Sequence, residues 1–367
     1  MTERCFSSYN TAKRVFAAGR ALSGRPVKGR PSMIPYIDLH CDTISVIDTG
    51  KASSLRSNSL HVDLQRLRLG GAMAQTFASF VELKETEQRG ETPWDCVIRL
   101  LNLLDSELER NADLIRPALT GRDIEENFKN GYLSAIRSTE EGAVYMDDLT
   151  RLRALYDRGV RIATLTWNYE NGLAFPNRPL YDPETGEVTG TVPETEHGLK
   201  SRGVEFVRAM EEMGMLIDIS HLSDAGIDDV FRTVRSSTPV IASHSNARSV
   251  AGHPRNLSDR HLRQLADHGG VAGINFFHAF LSDARQVSRL SALEDMTAHI
   301  MYIRNLIGSD HIALGTDLDG ISSVLEIGGC EGMQLLADAL SAAGLSEDET
   351  EKIFSGNALR VFRDTWK

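Results

Sequence analysis

A chain of 367 residues with 41% hydrophobic content is long enough to bury one large core or two ordinary ones. Its net charge of -11 and pI near 5.5 exclude nucleic acid or an anionic membrane as the main partner, because both need a basic surface. Four cysteines, Cys5, Cys41, Cys96 and Cys330, lie far apart with no C-x-x-C pair, so neither a zinc knuckle nor a disulfide framework is signalled and a reducing cytoplasm is expected.

Residues 1–32 carry seven Lys or Arg against one acid, Glu3, among frequent Ser, Gly and Pro. Their longest apolar stretch, Val15 to Ala18, is too short for a secretory core or a membrane span. They read as a basic, disordered extension ahead of a single folded domain over residues 33–367. No later stretch approaches eighteen consecutive apolar residues, so no membrane attachment is expected.

Eight short apolar, β-branched runs follow in chain order: Ile34 to His40, Ala72 to Phe80, Tyr132 to Glu140, Arg161 to Trp167, Met215 to His221, Val240 to His244, Gly270 to Phe277 and His311 to Asp317. Helical patterns lie between them, such as Leu149 to Asp157, Gly203 to Met213, Ser258 to Asp267 and Ser291 to Leu306, and residues 331–365 read as terminal helices. This alternation indicates a (β/α)8 barrel, a TIM barrel of the metal-dependent hydrolase type. The rival, a doubly wound open sheet, lacks the Gly-rich turn expected after its first strand. Two long connections, residues 81–131 and 168–200, sit on the side where such barrels do chemistry; the second, rich in Pro and Gly, suits a lid or rim.

Barrel enzymes place their reactive groups at the carboxyl ends of the strands. Those ends here carry His40 and Asp42, Glu140, His221, His244 and Asp317. In an extended strand His40 and Asp42 point to one side while Cys41 faces away. The set can hold two divalent ions, His40 and Asp42 on one, His221 and His244 on the other, with Glu140 between. Imidazoles and carboxylates without thiolates suit zinc, with manganese or cobalt as substitutes. Paired ions of this kind lower the pKa of a shared water and polarise a carbonyl, leaving Asp317 to carry a proton to a leaving amine. His61 and Asp63 repeat the His-x-Asp spacing away from a strand end and are read as a chance match, and the other His residues as structural or surface groups.

At these residues the chain resembles the membrane (renal) dipeptidase family of zinc peptidases, in its soluble bacterial branch. The matching stretches are Asp38 to Asp42, Gly71 to Gln75, Glu140 in Thr-Glu-Glu-Gly, Leu149 to Asn168, Gly214 to Ser223, Val240 to Arg248, His253 to Asn256, Gly315 to Gly320 and Asn357 to Phe362. The resemblance implies a zinc-dependent dipeptidase that hydrolyses the amide bond by a metal-bridging hydroxide, with two zinc ions held as above. It implies that Arg255 binds the substrate's terminal carboxylate, that Asp317 transfers the proton, and that the chain forms a homodimer. Two departures stand out. Mammalian members carry His where this chain has Trp167, which offers one N–H donor and no base. Polarisation is therefore expected to rest on metal or on a neighbour such as Asn168 or Tyr169, with Trp167, Asn168 and Tyr169 all expected to bind substrate. Glu141 stands where the family often has Gly.

Two rival functions differ in class. Another binuclear-metal amidohydrolase, acting on a lactone, a cyclic amide or a deaminase substrate, would often bridge its metals with a modified Lys, and no predicted strand ends in Lys. A non-catalytic metal-binding barrel is the reading that Trp167 motivates.

Overall fold

The computed structural model describes residues 33–366 apart from 184, 186 and 187, so the expectation for residues 1–32 lies outside the described residues. Each of the eight predicted runs forms a strand: Tyr36–Cys41 (β1), Ala72–Phe80 (β2), Leu133–Glu140 (β3), Val160–Thr164 (β4), Leu216–Asp218 (β5), Ile241–Ala242 (β6), Val271–Ile274 (β7) and Ile312–Leu314 (β8). All pair in parallel in the order β2, β1, β8, β7, β6, β5, β4, β3. The ring closes through β2 and β3, whose register runs from Ala74 opposite Ser134 to Phe80 opposite Glu140. This is the (β/α)8 barrel that the alternation predicts.

The helices meet their patterns closely. Leu149–Asp157 matches residue for residue, and Ser201–Met213, Asp259–Asp267 and Leu293–Ile307 match within two residues. At the amino-terminal ends of the strands, Ile37, Ile162, Leu216, Ile241 and Val271 form one buried apolar cluster with Phe362 of the terminal helix Asn357–Thr365. That cluster floors the barrel, so the polar side chains gather at the opposite end. No helix among the described residues is long and apolar enough to cross a membrane.

Two expectations need correction. The connection 81–131 contains helices Leu83–Arg89, Pro93–Arg110 and Gly121–Lys129, with a short strand Ile115–Pro117 paired to β3. Its signals were present: Thr92 caps the longest helix by accepting from the Asp95 N–H, Pro93 sits in its first turn, and Val97, Leu100, Leu101, Leu104 and Leu108 repeat at helical spacing. The predicted strands also overrun their carboxyl ends, since β4, β5 and β8 stop at Thr164, Asp218 and Leu314. Beyond those points the backbone leaves the ladder, and His221 (φ 71°) and Asp317 (φ 62°) take the left-handed conformation that bulky residues avoid. Within the connection 168–200, Arg178–Tyr181 and Val188–Val192 form an antiparallel hairpin.

Candidate active site

Glu140 ends β3 at the centre of the open face, and its two oxygens point to two different groups. Oε2 lies 3.1 Å from His40 Nε2, which is itself 3.5 Å from Asp42 Oδ2. Oε1 lies 3.0 Å from His221 Nε2 and 3.5 Å from His244 Nε2. The two histidine Nε2 atoms are 2.9 Å apart. The five residues predicted as ligands therefore converge around one carboxylate, and all five are buried.

Their outer contacts set the tautomers. Ser243 Oγ gives its only proton to Asp218 Oδ2, so on its 2.6 Å contact with His244 Nδ1 the hydroxyl accepts and Nδ1 carries the proton. His221 Nδ1 faces Asn168 Oδ1 at 3.1 Å and donates to it. Both Nε2 atoms then present lone pairs to each other and to Glu140 Oε1, three acceptors facing one another with no proton between them. His40 Nε2 and Asp42 Oδ1 are buried without a hydrogen-bond partner. Orphaned acceptors of N and O type, with His244 fixed from behind by a hydroxyl and His221 by an amide oxygen, fit a divalent metal ion. His40, Glu140 and His244 form one group with ligand atoms close enough for an ion, and His40, Asp42 and Asp317 a second.

The electrostatics agree. Burial would raise the Glu140 carboxyl, but the charge of His40 and contacts from His221 and His244 hold it well below the usual range. Burial and the charge of Arg255 push His221 down to about 3, and burial and His40 lower His244 well below its ordinary value. Those two imidazoles are thus neutral, as ligands must be. At His40 burial would lower the pKa, but the carboxylates of Glu140 and Asp42 outweigh it and raise the pKa well above its ordinary value, so this imidazole has to release a proton to serve as a ligand. Asp317 goes the other way: burial, reinforced by Asp42 and Glu140 against His40, raises it well above the carboxylate range. Asn275 Nδ2 donates to its Oδ2 at 2.9 Å, and its Oδ1 stands 4.0 Å from His40 Nε2.

Arg255 lies on the loop after β6, almost wholly buried, and burial lowers its pKa to about 10. Its Nε and Nη2 have no hydrogen-bond partner, and Nη1 has only a 3.4 Å contact to Ser245 Oγ. A buried, unpaired guanidinium fork is a receptor for a carboxylate. Asp42, Glu140, His221, Arg255 and Asp317 share one cavity of about 950 Å³ with Trp167, Asn168 and Tyr169. Of the last three, Asn168 touches His221, while Trp167 packs 4.8 Å from Phe80 and 5.7 Å from Tyr169 between ring centroids.

Sequence reasoning missed Asn275, Asp218, Ser243 and Phe80. Asn275 had a signal, being the first polar residue after the apolar run of strand 7. His253, read as a structural or surface residue, lines the cavity, and its Nδ1 accepts from the Arg255 N–H at 3.1 Å. His61 joins the site's margin through Asp319, its Nδ1 3.2 Å from Oδ1, while Asp63 caps the helix Leu64–Gly70.

Comparison with known proteins points the same way. The sequence model of the family described as membrane dipeptidase, peptidase family M19, matches residues 31–367. An uncharacterized dipeptidase of Schizosaccharomyces pombe is 30% identical over 320 residues, covering 83% of this chain and 72% of its own. The crystal structure of a dipeptidase AC, a metallopeptidase of family M19, superposes with a TM-score of 0.79 at 25% identity, over 91% of this chain and 99% of its own. A metallopeptidase from Rhodobacter sphaeroides, liganded with a phosphinate mimic of the dipeptide L-Ala-D-Ala, superposes with a TM-score of 0.77 at 25% identity, over 91% and 100%.

Proposed function

This chain belongs to the membrane dipeptidase family and is a metal-dependent hydrolase of dipeptides; from that premise we propose how its residues divide the work. His40 and Asp42 would hold one zinc ion and His221 and His244 a second, with Glu140 available to both. When bound, such ions supply an acidified water as nucleophile and polarise the scissile carbonyl. The observation that carries this assignment is the meeting of Glu140 Oε1 with the unprotonated Nε2 atoms of His221 and His244.

The remaining residues bind and move protons. Arg255 takes the substrate's free carboxylate on its unpaired Nε and Nη2, fixing the amide over the open end of the barrel. Asp317, raised in pKa and held by Asn275, accepts a proton from the attacking water and returns it to the leaving amine. Asn168 orients His221, and Trp167 and Tyr169 contact the substrate's body. The bridging role of Glu140, rather than a modified Lys, favours this reading over a lactone, cyclic-amide or deaminase hydrolase. The cytoplasm is the proposed compartment, supported by three unpaired, buried cysteines among the described residues.

The anchor makes the test simple. Dipeptides whose carboxylate is replaced by a carboxamide should lose about 100-fold in kcat/KM on zinc-loaded protein, the scale of a lost charged partner at a buried site. Equal turnover of the acid and the amide would remove Arg255 from this role.

A further inference from the structure

Glu141 is a buried acid that the chemistry above leaves unused. Its backbone φ is 120°, a region that side-chain-bearing residues rarely adopt, and the residue is fully buried. The carboxylate is spent on backbone and amide donors: Oε1 accepts from the Ala143 N–H at 2.7 Å and from Asn171 Nδ2 at 2.5 Å, and Oε2 accepts from the Trp167 N–H at 2.8 Å. The two departures noted in the sequence, Glu141 and Trp167, are thus joined by a hydrogen bond.

Trp167 held in this way forms an aromatic wall. Its ring centroid lies 4.8 Å from that of Phe80, 5.7 Å from that of Tyr169 and 5.9 Å from that of His221. Tyr169 is fixed in turn, its hydroxyl donating to Glu82 Oε1 at 2.5 Å and Lys84 Nζ lying 5.2 Å over its ring. The wall therefore spans the open ends of β2 and β4 and lines the cavity. In the closed order of eight strands, β2, which carries Phe80, is four places from β6, directly across the barrel; β4, which leads to Trp167 and Tyr169, is two places from it; and β6 leads to Arg255. A dipeptide with its carboxylate on Arg255 and its amide at the centre points its first residue at this wall.

We propose that Phe80, Trp167 and Tyr169 form the subsite for the side chain of the dipeptide's first residue, with Glu141 the positioning residue that holds Trp167 in place. The favoured substrates are dipeptides with a large apolar or aromatic first residue. The inference rests on the dipeptidase reading and on Arg255 as its carboxylate anchor.

The experiment compares two series on zinc-loaded protein, X-Ala with X as Gly, Ala, Leu or Phe, and Ala-X with the same residues second. For the wild type, kcat/KM should rise about 30-fold from Gly-Ala to Phe-Ala, the range that filling a hydrophobic pocket supplies. Trp167→Ala should cut the ratio of Phe-Ala to Ala-Ala about tenfold, mostly through KM, and Trp167→Phe should restore most of it. Glu141→Gln should lower the same ratio with zinc content preserved, and Phe80→Leu gives a second, milder probe of the wall. The corresponding ratio in the Ala-X series should move less than about threefold in every variant. A flat X-Ala series, or variants that alter both series equally, would overturn the subsite while leaving the dipeptidase standing. Hydrolysis of neither series would overturn the dipeptidase reading and the subsite with it.

Discussion

Arg248 and Asp224 form a two-pronged ion pair, with Nη1 to Oδ2 and Nη2 to Oδ1 both at 2.7 Å, behind the loop that carries Arg255. The same guanidinium donates from Nε to the Asn256 carbonyl and from Nη2 to the Pro254 carbonyl, each at 2.9 Å. Those carbonyls flank Arg255 on either side, and the Pro254 carbonyl also accepts from Asn177 Nδ2 at 3.2 Å. Arg248→Lys keeps the charge and loses the planar fork. It should raise KM for dipeptides about tenfold with kcat changed less than about threefold and zinc content unaltered, as steady-state kinetics would read.

Asp317→Asn keeps the shape and removes the proton carrier. Its kcat should fall about 100-fold or more while both metals stay bound. Metal analysis and a dipeptide panel on one preparation check this, and full hydrolysis by the variant would end the proton-transfer role.

His299 is wholly buried and must be neutral, because its Nδ1 accepts from the Ala247 N–H at 3.2 Å while Nε2 donates to the Leu281 carbonyl at 3.0 Å. Burial pushes its pKa from 6.5 down to about 4. The folded value is the lower one, so the unfolded chain takes up the proton first. Stability present above 6.5 is lost as pH falls from there to about 4, by up to about 3 kcal/mol, and the loss levels off below. Urea unfolding across that window should show a shallower pH slope for His299→Gln than for the wild type, even though the variant starts less stable.

Gly315 lies where β6, β7 and β8 crowd together: a Cβ there would sit 1.7 Å from the Ser243 carbonyl oxygen and 3.1 Å from Gly273 Cα. Both contacts are backbone and cannot swing aside. Gly315→Ala should cost about 1–3 kcal/mol and lower Tm by about 3 °C or more, read by calorimetry. Zinc affinity should fall as well, because Ser243 supports His244.

The barrel was legible because each strand is a short apolar run bounded by turns, and the order of ligand-type residues at their ends announced the site. His40, Glu140 and His244 lie at or next to strand ends, where period and position agree. His221 and Asp317 were found by type and then proved to lie past the strands, in left-handed backbone that no periodicity reports. The supporting partners were hidden for a different reason. Asp218 meets Ser243 across 25 residues, and Asp38 meets the Thr316 hydroxyl and N–H across 278, so their roles exist only after the ring closes. Glu141 gave no directional signal, since whether a carboxylate after a strand turns in or out depends on the donors it meets.

The central claim is that the acceptors around Glu140 hold metal for dipeptide hydrolysis. Zinc titration of metal-free protein, following metal content and hydrolysis of L,L- and L,D-dipeptides together, tests it most directly. Hydrolysis should be absent without metal, rise with zinc until two equivalents are bound, and be lost in Glu140→Gln. Protein that takes up zinc yet cleaves no dipeptide, or that cleaves as well after its metal is stripped, would contradict the account.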